Sequence, residues 1–249
     1  MVMASTTSIS ASRGTMPLHI SVPEGDGPWP AVVVVSDALG MTSDLGQQSA
    51  WLASEGFLAV APDLFYWGGR LRCLFATMRQ ALAREGDVFD DLETVRRYAL
   101  DRGDTTDAVA VVGFCLGGGI ALLLAATGDY DASSVNYGDV PRDALELLEG
   151  SCPVVGSYGA RDVTLKKAPG RLSGALEQLG IEHDVVTYEG AGHAFMNDHD
   201  DADVPKWAVV MGRLSASEYH EASAIDARRR IAAFFDLHLR RRSTDNTAV

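Results

Sequence analysis

The chain has 249 residues, of which 47% are hydrophobic and 22% charged, and its formal net charge is −13. This composition supplies a large core and excludes a disordered chain. The negative charge argues against nucleic acid or an anionic membrane as a partner, since both bind basic patches. The three cysteines, without C-x-x-C spacing, predict neither a disulfide framework nor a zinc site and fit a reducing cytoplasm.

The domain organisation predicted from composition is simple. No Pro-, Gly- or Ser-rich linker divides the chain, so we predict one α/β domain over residues 16–240. Residues 1–15 are rich in Ser and Thr and lack the apolar run of a signal peptide, and residues 241–249 are basic and then polar. Both segments are predicted to be flexible tails, and no stretch is long enough to predict a transmembrane helix.

The first half of the chain begins with a predicted edge strand over residues 18–22, where apolar and polar residues alternate. A central strand at 31–35, a helix at about 44–55 and a strand at 57–61 follow. This order is typical of a mostly parallel sheet with helices on both faces. Residues 64–84 mix aromatic side chains with arginines, which is compatible both with the roof of a pocket and with ordinary packing.

Strands and helices alternate through the second half of the chain as well. The predicted strands are 108–112, 133–137, 153–158 and 183–188, and the predicted helices are 90–100, 120–126, 144–148, 171–179 and 222–238.

The junction between the strand at 108–112 and the following helix carries the first chemical motif. Gly113, Cys115 and Gly117 fit the G-x-S-x-G nucleophile elbow with cysteine in place of serine. Such a turn needs the glycines because the backbone is strained and strand and helix approach closely. The sulfur would lie at the positive end of a helix, where a thiolate is favoured. A buried structural cysteine flanked by packing glycines is the alternative.

Two later loops carry candidates for the partners of a nucleophile. Asp162 and His193 each follow the end of a predicted strand, and the order Cys115, Asp162, His193 is the nucleophile, acid, histidine order of α/β-hydrolases. A base and a group that orients it are what activates a thiol. Asp162 as a turn cap and His193 as an ordinary loop residue remain alternatives. The acidic run at 197–203, which contains His199, lacks the pattern of a calcium loop, so we expect a solvated loop there.

The sequence resembles the dienelactone hydrolase family, whose members are cysteine hydrolases of the α/β-hydrolase fold. The residues that carry the resemblance are 113–118 (GFCLGG), 61–64 (APDL), 91–93 (DLE), Asp162 and 190–195 (GAGHAF). The resemblance implies that Cys115 is the nucleophile, His193 its base and Asp162 the acid that orients the base. It also implies an oxyanion hole made by the backbone N–H groups of Leu116 and Ala38, and it implies no metal or organic cofactor.

Two departures from the family pattern concern substrate binding. Asp37 stands where well-known members have a glutamate, and Asn197 stands where they have an arginine. A second family arginine falls in the segment of Arg70 and Arg72, which cannot be aligned. We expect these four residues and Phe195 to bind the substrate or modulate the site.

The sequence therefore predicts a cysteine-dependent hydrolase that opens a lactone or cleaves a small ester through an acyl-thioester. A general carboxylesterase with another acyl preference is one alternative. A non-catalytic protein in which Cys115 binds or responds to oxidants is another. We expect a cytoplasmic monomer or homodimer that binds a small molecule.

Overall fold

The computed structural model describes residues 2–200, 202–205 and 215–245. The strands are β1 (Met3–Ala11), β2 (Gly14–Val22), β3 (Trp29–Val35), β4 (Leu58–Pro62), β5 (Thr105–Phe114), β6 (Ala132–Asn136), β7 (Val154–Gly159) and β8 (His183–Tyr188). The helices of the described residues are α1 (Ser43–Ser54), α2 (Arg70–Ala83), α3 (Asp87–Leu100), α4 (Leu116–Ala125), α5 (Ala144–Leu147), α6 (Ala168–Leu179) and α7 (Glu221–Asp245).

The strands form one sheet in the order β1-β2-β4-β3-β5-β6-β7-β8. Neighbours from β4 to β8 pair in parallel, whereas β1 and β2 are antiparallel to their neighbours. Parallel strands need crossover connections, which here place helices on both faces. The carboxyl ends of β3, β5, β7 and β8 therefore meet at one edge of the sheet.

The core has two layers because β3 and β5 are buried on both faces. Alternate residues of β3 enter opposite layers: Val33 packs in the layer of α3, α4 and α6, and Val34 in the layer of α1 and α7. Runs of β-branched residues without polar alternation are typical of such strands. The predicted α/β fold, with a mostly parallel sheet and helices on both faces, is confirmed. Among the described residues, no helix is long and apolar enough to cross a membrane.

The prediction of a flexible tail over residues 1–15 is wrong. β1 pairs with β2 along its whole length, from Met3 opposite Val22 to Ala11 opposite Gly14. Most residues of β1 are exposed, so the strand is ordered by backbone hydrogen bonds and gives no alternating apolar signal. β2 starts earlier than predicted. The sequence predicts an edge strand here, but β2 is an inner strand because β1 pairs with its outer side.

The second predicted tail, residues 241–249, is also partly wrong, because α7 continues to Asp245. The last buried residue of its apolar face is Leu239. Beyond that contact the helix still propagates, since each added residue makes a backbone hydrogen bond and arginine is a good helix former. Residues 246–249 lie outside the described part of the chain.

Candidate active site

The turn between β5 and α4 brings Cys115 to the carboxyl edge of the sheet. Cys115 has φ 53° and ψ −113°, a conformation that L-residues rarely adopt. A Cβ atom on Gly113 would lie 1.9 Å from the carbonyl oxygen of Gly117, and one on Gly117 would lie 2.3 Å from that of Val35. Both positions therefore exclude every other residue type, and the strand, turn and helix have the arrangement that the elbow motif predicts.

Asn136, at the end of β6, supports this turn from the side. Its carbonyl oxygen accepts the N–H of Cys115 at 3.0 Å. Its side-chain amide donates to the carbonyl oxygen of Gly113 at 3.1 Å and to the hydroxyl of Ser134 at 3.0 Å. Asn136 is fully buried, so this support is shielded from water. The sequence analysis missed this residue because a polar side chain at a strand end carries no local signal of its partner.

His193 and Asp162 lie together because the loops after β7 and β8 pack against each other. The backbone N–H of Arg161 donates to the carbonyl oxygen of Ala191 at 2.9 Å. The Nδ1 atom of His193 lies 2.6 Å from Oδ2 of Asp162, and the other carboxylate oxygen, Oδ1, accepts two hydrogen bonds from Thr164. The carboxylate is therefore fully engaged and holds the ring in one orientation.

The other side of the His193 ring faces the sulfur. Burial alone would lower the pKa of His193, but hydrogen bonds with Asp162 and with the side chain of Cys115, and the charges of both, raise it to about 10. Burial likewise opposes ionisation of Asp162, yet the hydrogen bonds from His193 and Thr164 lower its pKa. The predicted nucleophile, base and acid thus lie in one row, in which His193 is favoured as imidazolium beside the Asp162 carboxylate.

Behind this row lies a buried polar network that contains Asn197. The Asn197 amide accepts the hydroxyl of Tyr137 and donates to the carboxylate of Asp44. The Tyr137 ring packs edge-on against His193, with ring centres 5.3 Å apart. Phe195 packs against the same tyrosine and is fully buried. Asn197 and Phe195 are therefore buried among partners inside the protein and do not line the cavity described below, so of the two predicted roles the structure favours modulation of the site over contact with substrate.

Asp37 lies within hydrogen-bonding distance of His199. Its Oδ2 lies 2.8 Å from Nε2 of His199, and its Oδ1 accepts the N–H of Leu39 at 2.8 Å. Burial alone would lower the pKa of His199, but the hydrogen bond with Asp37 and the charges of Asp37, Asp44 and Asp203 raise it. The His199 side chain is only 14% exposed, so the prediction of a solvated loop is wrong at this residue.

A cavity of about 420 Å³ opens beside the sulfur. Four of the predicted site residues line this cavity: Ala38, Cys115, Leu116 and His193. The rest of the lining includes apolar side chains of α2, α4 and the loop after β7. Leu116 is the first residue of α4, so its N–H has no acceptor within the helix. A larger groove of about 540 Å³ lies between α1 and α7, and none of the predicted site residues lines it.

Arg70 and Arg72 do not line this cavity. The Arg72 guanidinium lies over the ring of Trp67, 5.3 Å from its centre, and Arg70 reaches the carbonyl oxygen of Asp203 at 3.5 Å. Both side chains are exposed, so the expectation that they bind substrate finds no support. Within the described ranges, no cluster of His, Cys, Asp or Glu has the geometry of a metal site.

Comparisons with known proteins point to one family. A sequence profile of the dienelactone hydrolase family matches residues 17–239. A carboxymethylenebutenolidase from Pseudomonas putida is 30% identical over 180 residues, which cover 68% of this chain and 75% of that protein. A solved structure of a candidate dienelactone hydrolase from Klebsiella pneumoniae has a TM-score of 0.76 at 28% identity, over 94% of this chain and 98% of the other. A dienelactone hydrolase from Anabaena variabilis shares the fold, with a TM-score of 0.64 at 17% identity over 96% and 99% of the two chains.

Proposed function

Because the chain belongs to the dienelactone hydrolase family, it is a hydrolase of ester or lactone bonds, and we propose that Cys115 is its nucleophile. One observation carries the proposal: Cys115 and His193 line the same cavity, and the Asp162 carboxylate binds the Nδ1 atom of His193 from the other side of the ring. A nucleophile, a base and a group that orients the base are the parts that covalent catalysis requires.

The first step forms a bond between sulfur and the carbonyl carbon of the substrate. The Cys115 thiolate attacks, and the π electrons of the carbonyl move to its oxygen. That oxyanion accepts hydrogen bonds from the backbone N–H groups of Leu116 and Ala38. A donor of this kind contributes about 3 to 4 kcal/mol to the transition state in other acyl-transfer enzymes.

The second step releases the alcohol. The oxyanion re-forms the carbonyl, the bond from carbon to the ester oxygen breaks, and the His193 imidazolium donates its proton to the departing alkoxide. In a lactone the released alcohol stays attached to the acyl group. Asp162 keeps Nε2 of His193 aimed at the reacting atoms, because it fixes the opposite ring nitrogen.

The last step returns the enzyme to its starting state. Neutral His193 takes a proton from water, the resulting hydroxide adds to the thioester, and the carbon–sulfur bond breaks to give the acid and the thiolate. The imidazolium beside the sulfur then restores the resting ion pair.

The experiment compares Cys115→Ala with Cys152→Ala. Cys152 is a suitable control because burial raises the pKa of its thiol to about 12, so that it stays protonated at neutral pH. With p-nitrophenyl acetate, we expect wild type and Cys152→Ala to turn over and Cys115→Ala to lose nearly all activity. Mass spectrometry of a rapidly quenched reaction should find one acetyl group on Cys115. Hydrolysis by Cys115→Ala at the wild-type rate would contradict the mechanism, and stoichiometric labelling of wild type without turnover would favour a redox or binding role.

A further inference from the structure

Helix α2 carries a stripe of large apolar side chains on its outer surface. Leu71, Phe75, Met78 and Leu82 are spaced by four, three and four residues, which places them on one face of a helix. Each is between 43% and 82% exposed. Contiguous apolar surface of this kind on a soluble domain usually marks a binding site, whereas single exposed apolar residues do not.

The stripe is not required for packing the helix onto the domain. An adjoining face of α2 supplies the buried residues Cys73, Leu74 and Thr77. A surface helix normally buries one apolar face and leaves the other polar. We therefore expect the exposed apolar face of α2 to bind a group that is not part of the protein core.

The stripe is continuous with the cavity at the candidate nucleophile. Met78 and Leu82 line the cavity together with Cys115. Phe75 and Leu71 lie one and two turns further toward the start of the helix. A substrate with its carbonyl at the sulfur can thus lay an apolar group first against Leu82 and Met78 and then along the outer residues.

The charged groups at the cavity wall do not favour an anionic substrate. Arg84 lines the cavity, but its guanidinium already donates to the carboxylate of Asp143 at 2.6 Å. Asp139 also lines the cavity, and its negative charge would repel a carboxylate. Arg70 and Arg72 lie outside the lining. A carboxylate entering the cavity would lose hydration without gaining an unpaired arginine.

We propose that the substrate is an uncharged ester whose hydrocarbon group lies along Leu71, Phe75, Met78 and Leu82 of α2. This inference rests on the proposed function, because it places the scissile carbonyl at Cys115. It narrows the substrate to neutral esters with an extended apolar part and makes α2 the wall that sets chain-length preference.

The test measures kcat/KM for p-nitrophenyl acetate, butyrate, hexanoate and octanoate, all below the concentrations at which they aggregate. Burial of one CH₂ group contributes up to about a fourfold gain in affinity, so we expect kcat/KM to rise about tenfold or more from acetate to hexanoate. We also expect p-nitrophenyl hemisuccinate, which carries a carboxylate, to react at least tenfold more slowly than the butyrate ester of the same chain length.

Variants of the helix assign the preference to its outer face. Leu82→Ser and Met78→Ser should each lower the ratio of octanoate to acetate kcat/KM by about tenfold. Ile225→Ser is the control: Ile225 lies on α7 outside the cavity, its exposure of 58% falls between those of Met78 and Leu82, and its ratio should match wild type. Thermal unfolding should give the same Tm for all three variants within a few degrees, because exposed side chains are replaced.

Three results would overturn the inference: no rise of kcat/KM with chain length, faster cleavage of the hemisuccinate than of the butyrate, or unchanged ratios in both α2 variants. The last result combined with a change in oligomeric state of Leu71→Ser would assign the stripe to contact with a second copy. The proposed function fails separately, through retained hydrolysis by Cys115→Ala. Calorimetric titration of that variant with the octanoate and hemisuccinate esters measures the preference for an apolar over an anionic ester without turnover. Stronger binding of the hemisuccinate would refute the inference about the substrate.

Discussion

Replacing His199 with asparagine removes the imidazole that faces Asp37, a carboxylate that is itself buried. The imidazole Nε2 lies 2.8 Å from the carboxylate oxygen. A hydrogen bond to a charged group contributes about 1.5 to 3 kcal/mol, and a buried partner left unpaired adds a desolvation cost. We therefore expect His199→Asn to lower the free energy of unfolding by about 2 to 3 kcal/mol at pH 6.

The pH dependence of this loss has a defined sign. The pKa of folded His199 is raised above its ordinary value of 6.5 by Asp37, with smaller contributions from Asp44 and Asp203. A raised pKa gives stability that is fully present below the unfolded value and is lost as pH rises through the folded value. The difference between wild type and His199→Asn should thus be largest near pH 6 and smaller at pH 9.

The same substitution should affect catalysis, because Asp37 directly precedes Ala38. The carboxylate that His199 binds also accepts the N–H of Leu39, so the pair fixes the loop that carries one proposed oxyanion donor. We expect kcat for p-nitrophenyl acetate to fall about tenfold to a hundredfold, with KM changed less than about threefold. A missing oxyanion donor costs more than that, and here the donor is displaced rather than removed.

Urea unfolding at pH 6 and pH 9, together with steady-state kinetics, tests this reasoning. His183→Asn is a matched control, since that histidine lies on β8 outside the cavity, and it should leave kcat unchanged. In a double-mutant cycle, adding Asp37→Asn to His199→Asn should cost much less than it costs wild type. Additive effects of the two changes, or equal stability losses at the two pH values, would refute the argument.

Three further substitutions test the site. Asp162→Asn should lower kcat by roughly 10³ to 10⁴-fold in the same ester assay, because the ring of His193 loses the acceptor that orients it; a loss below tenfold would contradict that role. Gly117→Ala should lower the free energy of unfolding by about 3 kcal/mol, since its Cβ would meet a carbonyl oxygen of β3 at 2.3 Å, whereas Gly170→Ala, with open space around it, should not destabilise in the same urea titration. Asn136→Ala should lower the free energy of unfolding by about 1 kcal/mol in that titration and should also lower kcat. An unchanged kcat would show that Asn136 does not position the turn that carries Cys115.

The strands that position the site could be predicted because their signal is local. Residues 108–112 and 31–35 are runs of small or β-branched apolar side chains, and strands buried on both faces have that composition. The elbow could be located because close packing of strand, turn and helix admits only glycine at 113 and 117. The order of the loops then predicted that Asp162 and His193 approach Cys115, and the structure brings the three together.

Contacts that depend on distant partners could not be predicted. Asp37 and His199 are 162 residues apart, and neither has a neighbour in sequence that marks the pairing. Asn197 stands where the family has an arginine, yet its burial depends on Tyr137 and Asp44, which come from other elements. The exposure of the apolar face of α2 could not be predicted either. Apolar residues at helical spacing are typical of a buried face, and only the neighbours of the helix show whether that face is covered.

The hairpin of β1 and β2 determines which strand lies at the edge of the sheet, where another molecule could add a strand. An uncovered strand presents unpaired N–H and C=O groups, on which another chain can add and start aggregation. Without β1, that outermost position would fall to β2, which carries the core residues Met16, Leu18 and Ile20. β1 fills it instead with mostly short hydroxylated side chains, and Met3 and Ile9 are its only large apolar residues. A segment that touches no part of the chemistry thus moves the exposed backbone edge of the sheet from a strand of core residues to one with mostly hydroxylated side chains.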